Sequence, residues 1–417
     1  MMDGMATDAV LQGQAGEVTS YAPGRVVSVD MLRGLTVALM ILVNDPGDWE
    51  HLFKQLDHAT WNGWTLTDLV FPTFLFLMGV AMVFSMDARS SRGHGKWARA
   101  GKIVSRAAKI FVLDLILTYF PTMHWTRLRF YGVLTRIALC YLIAGLILLA
   151  TRRVRILAAI VAVILIGYWV MLRWVPVPGA GMPVRDIPLL DPVMNWTSWI
   201  DRGVVNFTQH WLHTGRLYKT VRDPEGLLST LPSIATTLLG VLTGFWMQKI
   251  AGEGVGARAR VKMHRKQKML ALAGLAGVVV GEVWAMWLPI NKNLWTSSYV
   301  VLTAGVAALS LAACSWLVDG REQPWPRWLK VVTWPWVVYG SNAIAAFVIS
   351  EALVKTMIFI KITDEDGDKH SLWALSYAPF EHWGSNAWTS LAFAIAFVVV
   401  CFVPVWLLWR KRIFLKV

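Results

Sequence analysis

The segment "HATWNGWTLTDLVFPTF", residues 58–74, places a histidine ten positions ahead of an aspartate, at the mouth of an apolar run. An imidazole titrates near neutral pH, so His58 beside the Asp68 carboxylate is a set that can hold and move a proton. Asn44 closes the preceding apolar run, and all three residues fall on one short connection or the ends that flank it. Trp61 and Trp64 suit a membrane interface or a platform for a sugar ring, and Asn62 lies between them. The polar side chains of this stretch exceed what interfacial anchoring needs. Metal chemistry is not indicated: neither HxxxH nor CxxC occurs, and "QHWLH", with His210 and His213, has no acidic companion at ligand spacing.

A second set of polar residues lies inside apolar runs, where ionisable groups are costly and face a cavity or a partner. It comprises Arg33, Asp114, Arg136, Glu282 and Glu351, with the amides Asn44 and Asn342. Asp114 and Arg136 fall at a similar depth on consecutive runs, which predicts a buried ion pair. Asn44, Asp68, Glu282 and Glu351 share that half of the bundle, so a polar cavity is expected there. Glu282 also suits a hydrogen bond between helices. Arg33 follows Asp30 closely, as a local pair or as a ligand for phosphate.

The elements that hold these residues are membrane helices. The chain has 417 residues, 56% hydrophobic and 16% charged, with a mean hydropathy of +0.50, whereas soluble chains carry about 25% charged residues. The expected fold is an all-α polytopic membrane protein of about ten transmembrane helices. The spans lie near 30–45, 67–86, 104–121, 131–150, 155–175, 227–248, 268–289, 297–318, 333–357 and 386–409. Connections such as "DARSSRGHGKWARAGK", "TRRVR" and "KIAGEGVGARARVKMHRKQK" are densely basic, and the alternating 46–66, 122–130, 290–296 and 358–385 carry few lysines or arginines. The long 176–226 holds several, but long loops weigh less in the positive-inside rule. By the positive-inside rule both termini are cytoplasmic, and the His58 connection lies on the outer face. The net charge of +14 then follows from topology and does not call for nucleic acid.

Residues 1–24 are polar and glycine-rich and are expected to be a disordered tail, followed by a single membrane domain over 25–417. Its one large extramembrane piece, 176–226, includes "RDPEG", whose Asp223 and Glu225 join the candidate binding residues. That piece is expected to cap the outer face. Cys140, Cys314 and Cys401 lie inside apolar runs and are plain core residues. "GVLTG" and "GVVVG", Gly240–Gly244 and Gly277–Gly281, offer small faces for close helix contact.

"SVDMLRGLTVALMILVN", "HATWNGWTLTDLVFPTFLFLMG", "GVLTRIALCYLI", "DPEGLLSTLPSIATTLLGVLTG", "LPINKNLWTSSYVVLTAG" and "YGSNAI" together resemble the heparan-α-glucosaminide N-acetyltransferase family, in its bacterial NagX-like branch. The resemblance runs through nearly the whole chain from residue 25, without the large luminal domain of the animal enzymes. It implies a multi-pass enzyme of a bacterial inner membrane that forms a homodimer. Such an enzyme takes acetyl-CoA from the cytoplasmic side and acetylates a glucosamine-type amine on the other. His58 matches the active-site histidine, Asn44 a second active-site position and Asp68 the aspartate of the motif.

That chemistry suits the residues. A neutral His58 can take the proton of the attacking amine, or carry the acetyl group itself. Asn44 can donate to the oxyanion, and Asp68 can fix the imidazole. CoA phosphates belong at the basic mouth, where Arg33, Arg106 and Lys109 are candidates. No metal is expected. Two other classes fit the same polar groups. One is a sugar permease, although no internal repeat or paired broken helices are visible, and the other is an O-acyltransferase of an envelope polysaccharide.

Overall fold

The computed structural model describes residues 26–90, 93, 95–251, 257–319, 321, 325–363, 367–382 and 384–415. The expected disordered tail lies outside them. Thirteen helices follow in order: α1 Val27–Asn44, α2 Leu66–Ser90, α3 Lys96–Tyr119, α4 Val133–Ala150, α5 Val154–Trp174, α6 Trp196–Leu212, α7 Leu227–Ala251, α8 Ala257–Ala285, α9 Ser297–Val318, α10 Arg327–Ser341, α11 Ala343–Phe359, α12 Leu372–Glu381 and α13 Ala387–Arg410. Among the described residues one two-stranded hairpin, β1 Lys361–Thr363 against β2 Lys369–Ser371, precedes α12.

The chain is an all-α polytopic membrane protein. Eight of the described helices are long and apolar enough to cross a membrane. The expected span 333–357 is broken: α10 and α11 meet at an 80° bend, and count as a ninth span if taken together. The expected span 104–121 falls in α3, which carries Lys102, Arg106, Lys109 and Asp114 along its length and is too charged to join the others. Helices α1, α2, α7 and α9 are mostly buried and form the centre, whereas α5, α8 and α13 turn most of their surface outward. In lipid an outward apolar surface is the stable one.

Glycine sets how closely the central helices approach. A methyl group on Gly34 of α1 would overlap the Trp336 carbonyl of α10, and one on Gly240 of α7 would overlap the Phe76 carbonyl of α2. Gly281 of α8 lies against Leu302 of α9 in the same way, so both sequence motifs serve helix contact.

One helix start positions the chemistry. Thr65 precedes α2 and Asp68 closes its first turn, the T-x-x-D pattern of a capping box. The Asp68 Oδ2 accepts the Thr65 N–H at 3.1 Å. Pro72 inside α2 has no N–H for the Asp68 carbonyl four residues back, and the Tyr299 hydroxyl of α9 supplies the missing donor at 2.5 Å. The segment 176–226 folds as turns around α6, whose start is capped by Asn195 accepting from Ser198 N–H at 2.9 Å.

Candidate active site and basic cavity

Asp68 is almost fully buried, and its carboxylate accepts from four directions. His58 Nδ1 stands 2.7 Å from Oδ1, while Oδ2 accepts Ala59 N–H at 3.0 Å, Thr65 N–H and the Thr65 hydroxyl at 3.2 Å. With Nδ1–H given to the carboxylate, a neutral His58 presents the Nε2 lone pair on a ring whose side chain is 48% exposed. A pair with this geometry can take up a proton at Nε2 while the carboxylate fixes the ring.

A lysine completes the cluster. Lys292 Nζ lies 3.0 and 3.1 Å from the two ring nitrogens of His58 and 3.6 Å from Asp68 Oδ1. Its loop, between α8 and α9, is tied to the His58 segment by Gly63 N–H donating to the Ile290 carbonyl at 2.8 Å and by Asn291 donating to Asn62 Oδ1 at 3.1 Å. Gly63 has φ +102°, a backbone conformation that glycine adopts without strain. Burial pushes the Lys292 ammonium below the usual lysine value, and the carboxylates of Asp68 and Glu225 partly offset it.

Beyond Lys292 lies a second charged layer. Arg129 holds Asp223 through 2.8 and 2.5 Å hydrogen bonds and Glu225 at 2.6 Å. Burial would raise the Glu225 carboxyl, but the charges of Arg129, Arg136 and Lys292 outweigh it and hold it low. Arg136 is fully buried under this loop. It donates to the Gly226 carbonyl at 3.2 Å and to the Ser229 hydroxyl, and it lies over the Trp295 ring at 4.8 Å.

At the other end of the bundle a cavity of about 530 Å³ is lined by Asp30, Arg33, Arg106, Tyr141, Asn342 and Phe414, among others. It deepens along α2 as far as Phe74. Six residues of helix, about 9 Å, separate that level from Asp68. Arg33 pairs with Asp30 at 2.8 Å and donates through Nε to the Gly340 carbonyl at 2.8 Å. Arg106 lies 4.9 Å from the centre of the Tyr141 ring, and its buried Nε has no hydrogen-bond partner among the described residues. Two guanidinium groups facing one cavity suit an anionic, phosphorylated ligand.

Residues 25–280 match the family model described as heparan-alpha-glucosaminide N-acetyltransferase, catalytic. The chain belongs to that family. Two relatives are each named heparan-alpha-glucosaminide N-acetyltransferase. The one from Homo sapiens is 29% identical over 95% of this chain, and the one from Mus musculus is 28% identical over 85%. The chain spans 61% and 58% of the length of those relatives.

The structure joins His58 to Asp68, and gathers Asp30, Arg33, Arg106 and Asn342 around one cavity. Asn44 ends α1 on the same side as His58, half-buried, with no hydrogen bond to His58 or Asp68 among the described residues. Trp61 donates to the Leu190 carbonyl at 2.8 Å and carries Arg222 over its ring at 4.2 Å, so one face is already covered. Trp64, in the connection that leads into α2, donates to Glu282 Oε1 at 3.0 Å, so the partner of Glu282 lies on that connection and not on a neighbouring helix.

Three expectations need correction. Asp114 and Arg136 are not paired: Asp114 accepts the Thr135 N–H and hydroxyl at 2.9 and 2.6 Å, and Arg136 turns to Gly226 and Ser229. Equal depth does not fix the direction in which each helix presents its side chain. Lys109 is exposed on α3 and does not line the cavity that Arg106 lines. Glu282, expected to face a polar cavity, is exposed on α8, and the cavity of about 530 Å³ described above lies at the Arg33 end. Lys292 was missed because it sits far away in sequence. The signal that could have found it is its place inside "LPINKNLW", one of the strings that carry the family resemblance.

Proposed function

We propose that this chain moves an acetyl group from acetyl-CoA, held in the Arg33 and Arg106 cavity, to the amino group of a glucosamine-type sugar at His58. The observation that carries the reading is the 2.7 Å contact between His58 Nδ1 and Asp68 Oδ1, which leaves Nε2 as an accessible base. The amine nitrogen attacks the thioester carbonyl, its proton passes to His58 Nε2, and the CoA sulfur leaves. Asn44 donates to the developing oxyanion, a role worth about 3–4 kcal/mol where it has been measured. Asp68 keeps the imidazole in the productive tautomer.

Acetyl-CoA supplies the acyl group and the leaving thiol. The free Nε of Arg106 and the guanidinium of Arg33 suit its phosphates, and the cavity runs toward the acetyl-transfer end. In this reading residues 25–417 act as one membrane-embedded acyltransferase domain in a bacterial cytoplasmic membrane, working as a homodimer. Both termini lie on the CoA side, and the 176–226 segment covers the sugar side. Support comes from the family match and from the polar groups at each end of the bundle. A permease reading predicts sugar uptake into proteoliposomes without acetyl-CoA. An O-acyltransferase reading predicts acetyl esters instead of amides.

The test is purified protein with labelled acetyl-CoA and glucosamine, followed by mass spectrometry of the sugar. Wild type forms the N-acetyl amide, and His58→Ala does not. Equal rates in the two would remove His58 from the mechanism. A burst of CoA release without acceptor would indicate an acetyl-histidine relay in place of direct transfer.

A further inference from the structure

Lys292 Nζ stands almost equally far from both ring nitrogens of His58, at 3.0 and 3.1 Å. An ammonium in the ring plane at those distances would overlap Cε1, so Nζ lies over the ring face. A cation there opposes a second positive charge on the imidazole. Asp68 of α2 and Glu225 of the α6–α7 connection face Lys292 with opposite charge, and Arg136 of α4 is the neighbouring cation.

Acetyl transfer moves two protons. One leaves the attacking amine, and one can reach the CoA sulfur as its bond to carbon breaks. We propose that Lys292 is the general acid for the departing thiol, paired with His58 as the base. The N–C bond forms and the C–S bond breaks. The amine proton goes to His58 Nε2, and a Lys292 proton goes to the sulfur, leaving HS-CoA. The charge on the pair is unchanged through the step. His58 then returns its proton to Lys292 through water at its half-exposed ring, restoring both groups. This role rests on the acetyl-transfer reading above. Burial supports it, because it makes Lys292 a readier donor than an exposed lysine.

The experiment compares Lys292→Met with Lys292→Arg. Arginine keeps the positive charge but does not release a proton near neutral pH. Both variants are expected to lose about 100-fold in kcat, with the KM for acetyl-CoA little changed. Wild-type kcat falls on the alkaline side as Lys292 deprotonates, and both variants lack that limb. If Lys292→Arg restores wild-type kcat, the lysine supplies charge alone and the acid role is overturned. If Lys292→Met does not fold, Lys292→Arg carries the comparison.

Competitive labelling of wild type with acetic anhydride, read by mass spectrometry across pH, needs no turnover. Lys292 is expected to titrate below the exposed lysines of the same chain. If it titrates with them, the acid role fails while the acetyl-transfer reading stands. Absence of any amide product from wild type removes the acetyl-transfer reading and the acid role with it.

Discussion

Asp68 does two jobs with one carboxylate, capping α2 through Oδ2 and holding His58 through Oδ1. Asp68→Asn can still accept at the cap but offers an amide N–H toward His58 Nδ1, which favours the wrong tautomer. The expected loss in kcat is about 10³–10⁴-fold, with helix content by circular dichroism unchanged. A loss below about tenfold would show that His58 does not depend on this orientation. A second prediction concerns Asp201 of α6, buried with one oxygen unpartnered, whose carboxyl burial pushes up to about 7. Between its ordinary value of 3.8 and about 7 the folded chain holds the proton more tightly than the unfolded one. Stability therefore falls as pH rises through that window and stays low above it. Asp201→Asn removes the penalty and is expected to raise Tm by roughly 2–4 °C at pH 8, with little gain at pH 4. Thermal unfolding at both pH values measures it. At this scale the His58–Asp68 pair was legible in the sequence, because one short motif carries both. Lys292 was not: it lies 234 positions from His58, in a loop where a single lysine looks like ordinary solvated charge.

Helices were legible where one apolar run makes one straight element, and less so where a side chain interrupts it. Hydropathy alone reads 333–357 as a single span. The structure breaks it at Asn342, whose amide turns to the chain end, donating to the Ile413 carbonyl at 3.0 Å and accepting Leu415 N–H at 2.9 Å. The start of α11 is thereby turned to the cavity, and Ser341, Asn342, Ala343 and Ile344 all line it. The α1–α10 crossing that supports this wall depends on backbone contact at Gly34 and Gly340. Gly34→Ala forces a methyl group onto the Trp336 carbonyl and is expected to cost about 1–3 kcal/mol or more. Gly167→Ala on α5 meets nothing within 4 Å and serves as the control. Thermal stability in detergent is the measurement, and equal melting of the two variants would contradict the close crossing.

Across the whole molecule the sequence places two kinds of chemistry at opposite ends of one bundle. Arg33 lies near the start of α1 and Asn44 at its end, eleven residues or about 16 Å apart along the axis. Because α2 runs back the other way, Asp68 returns to the Asn44 end and Ser85 to the Arg33 end, beside Arg106. Charge follows the same division, since the basic connections cluster on the Arg33 side. In the proposed function that side faces the cytoplasm, as the positive-inside rule expects. Under the proposed function the division has a consequence: an anionic CoA does not cross freely, so its slender arm would reach inward from the basic mouth. The orientation can be tested by replacing Cys314, the half-buried cysteine, with serine and adding single cysteines at exposed Thr60 or Lys411. An impermeant maleimide on right-side-out vesicles is expected to label Thr60→Cys and spare Lys411→Cys, with the reverse in inverted vesicles. In sealed right-side-out vesicles acetyl-CoA then supports transfer to external glucosamine only when loaded inside. Labelling of both positions from one face would place His58 and the basic mouth on the same side, and transfer across the bundle would no longer follow.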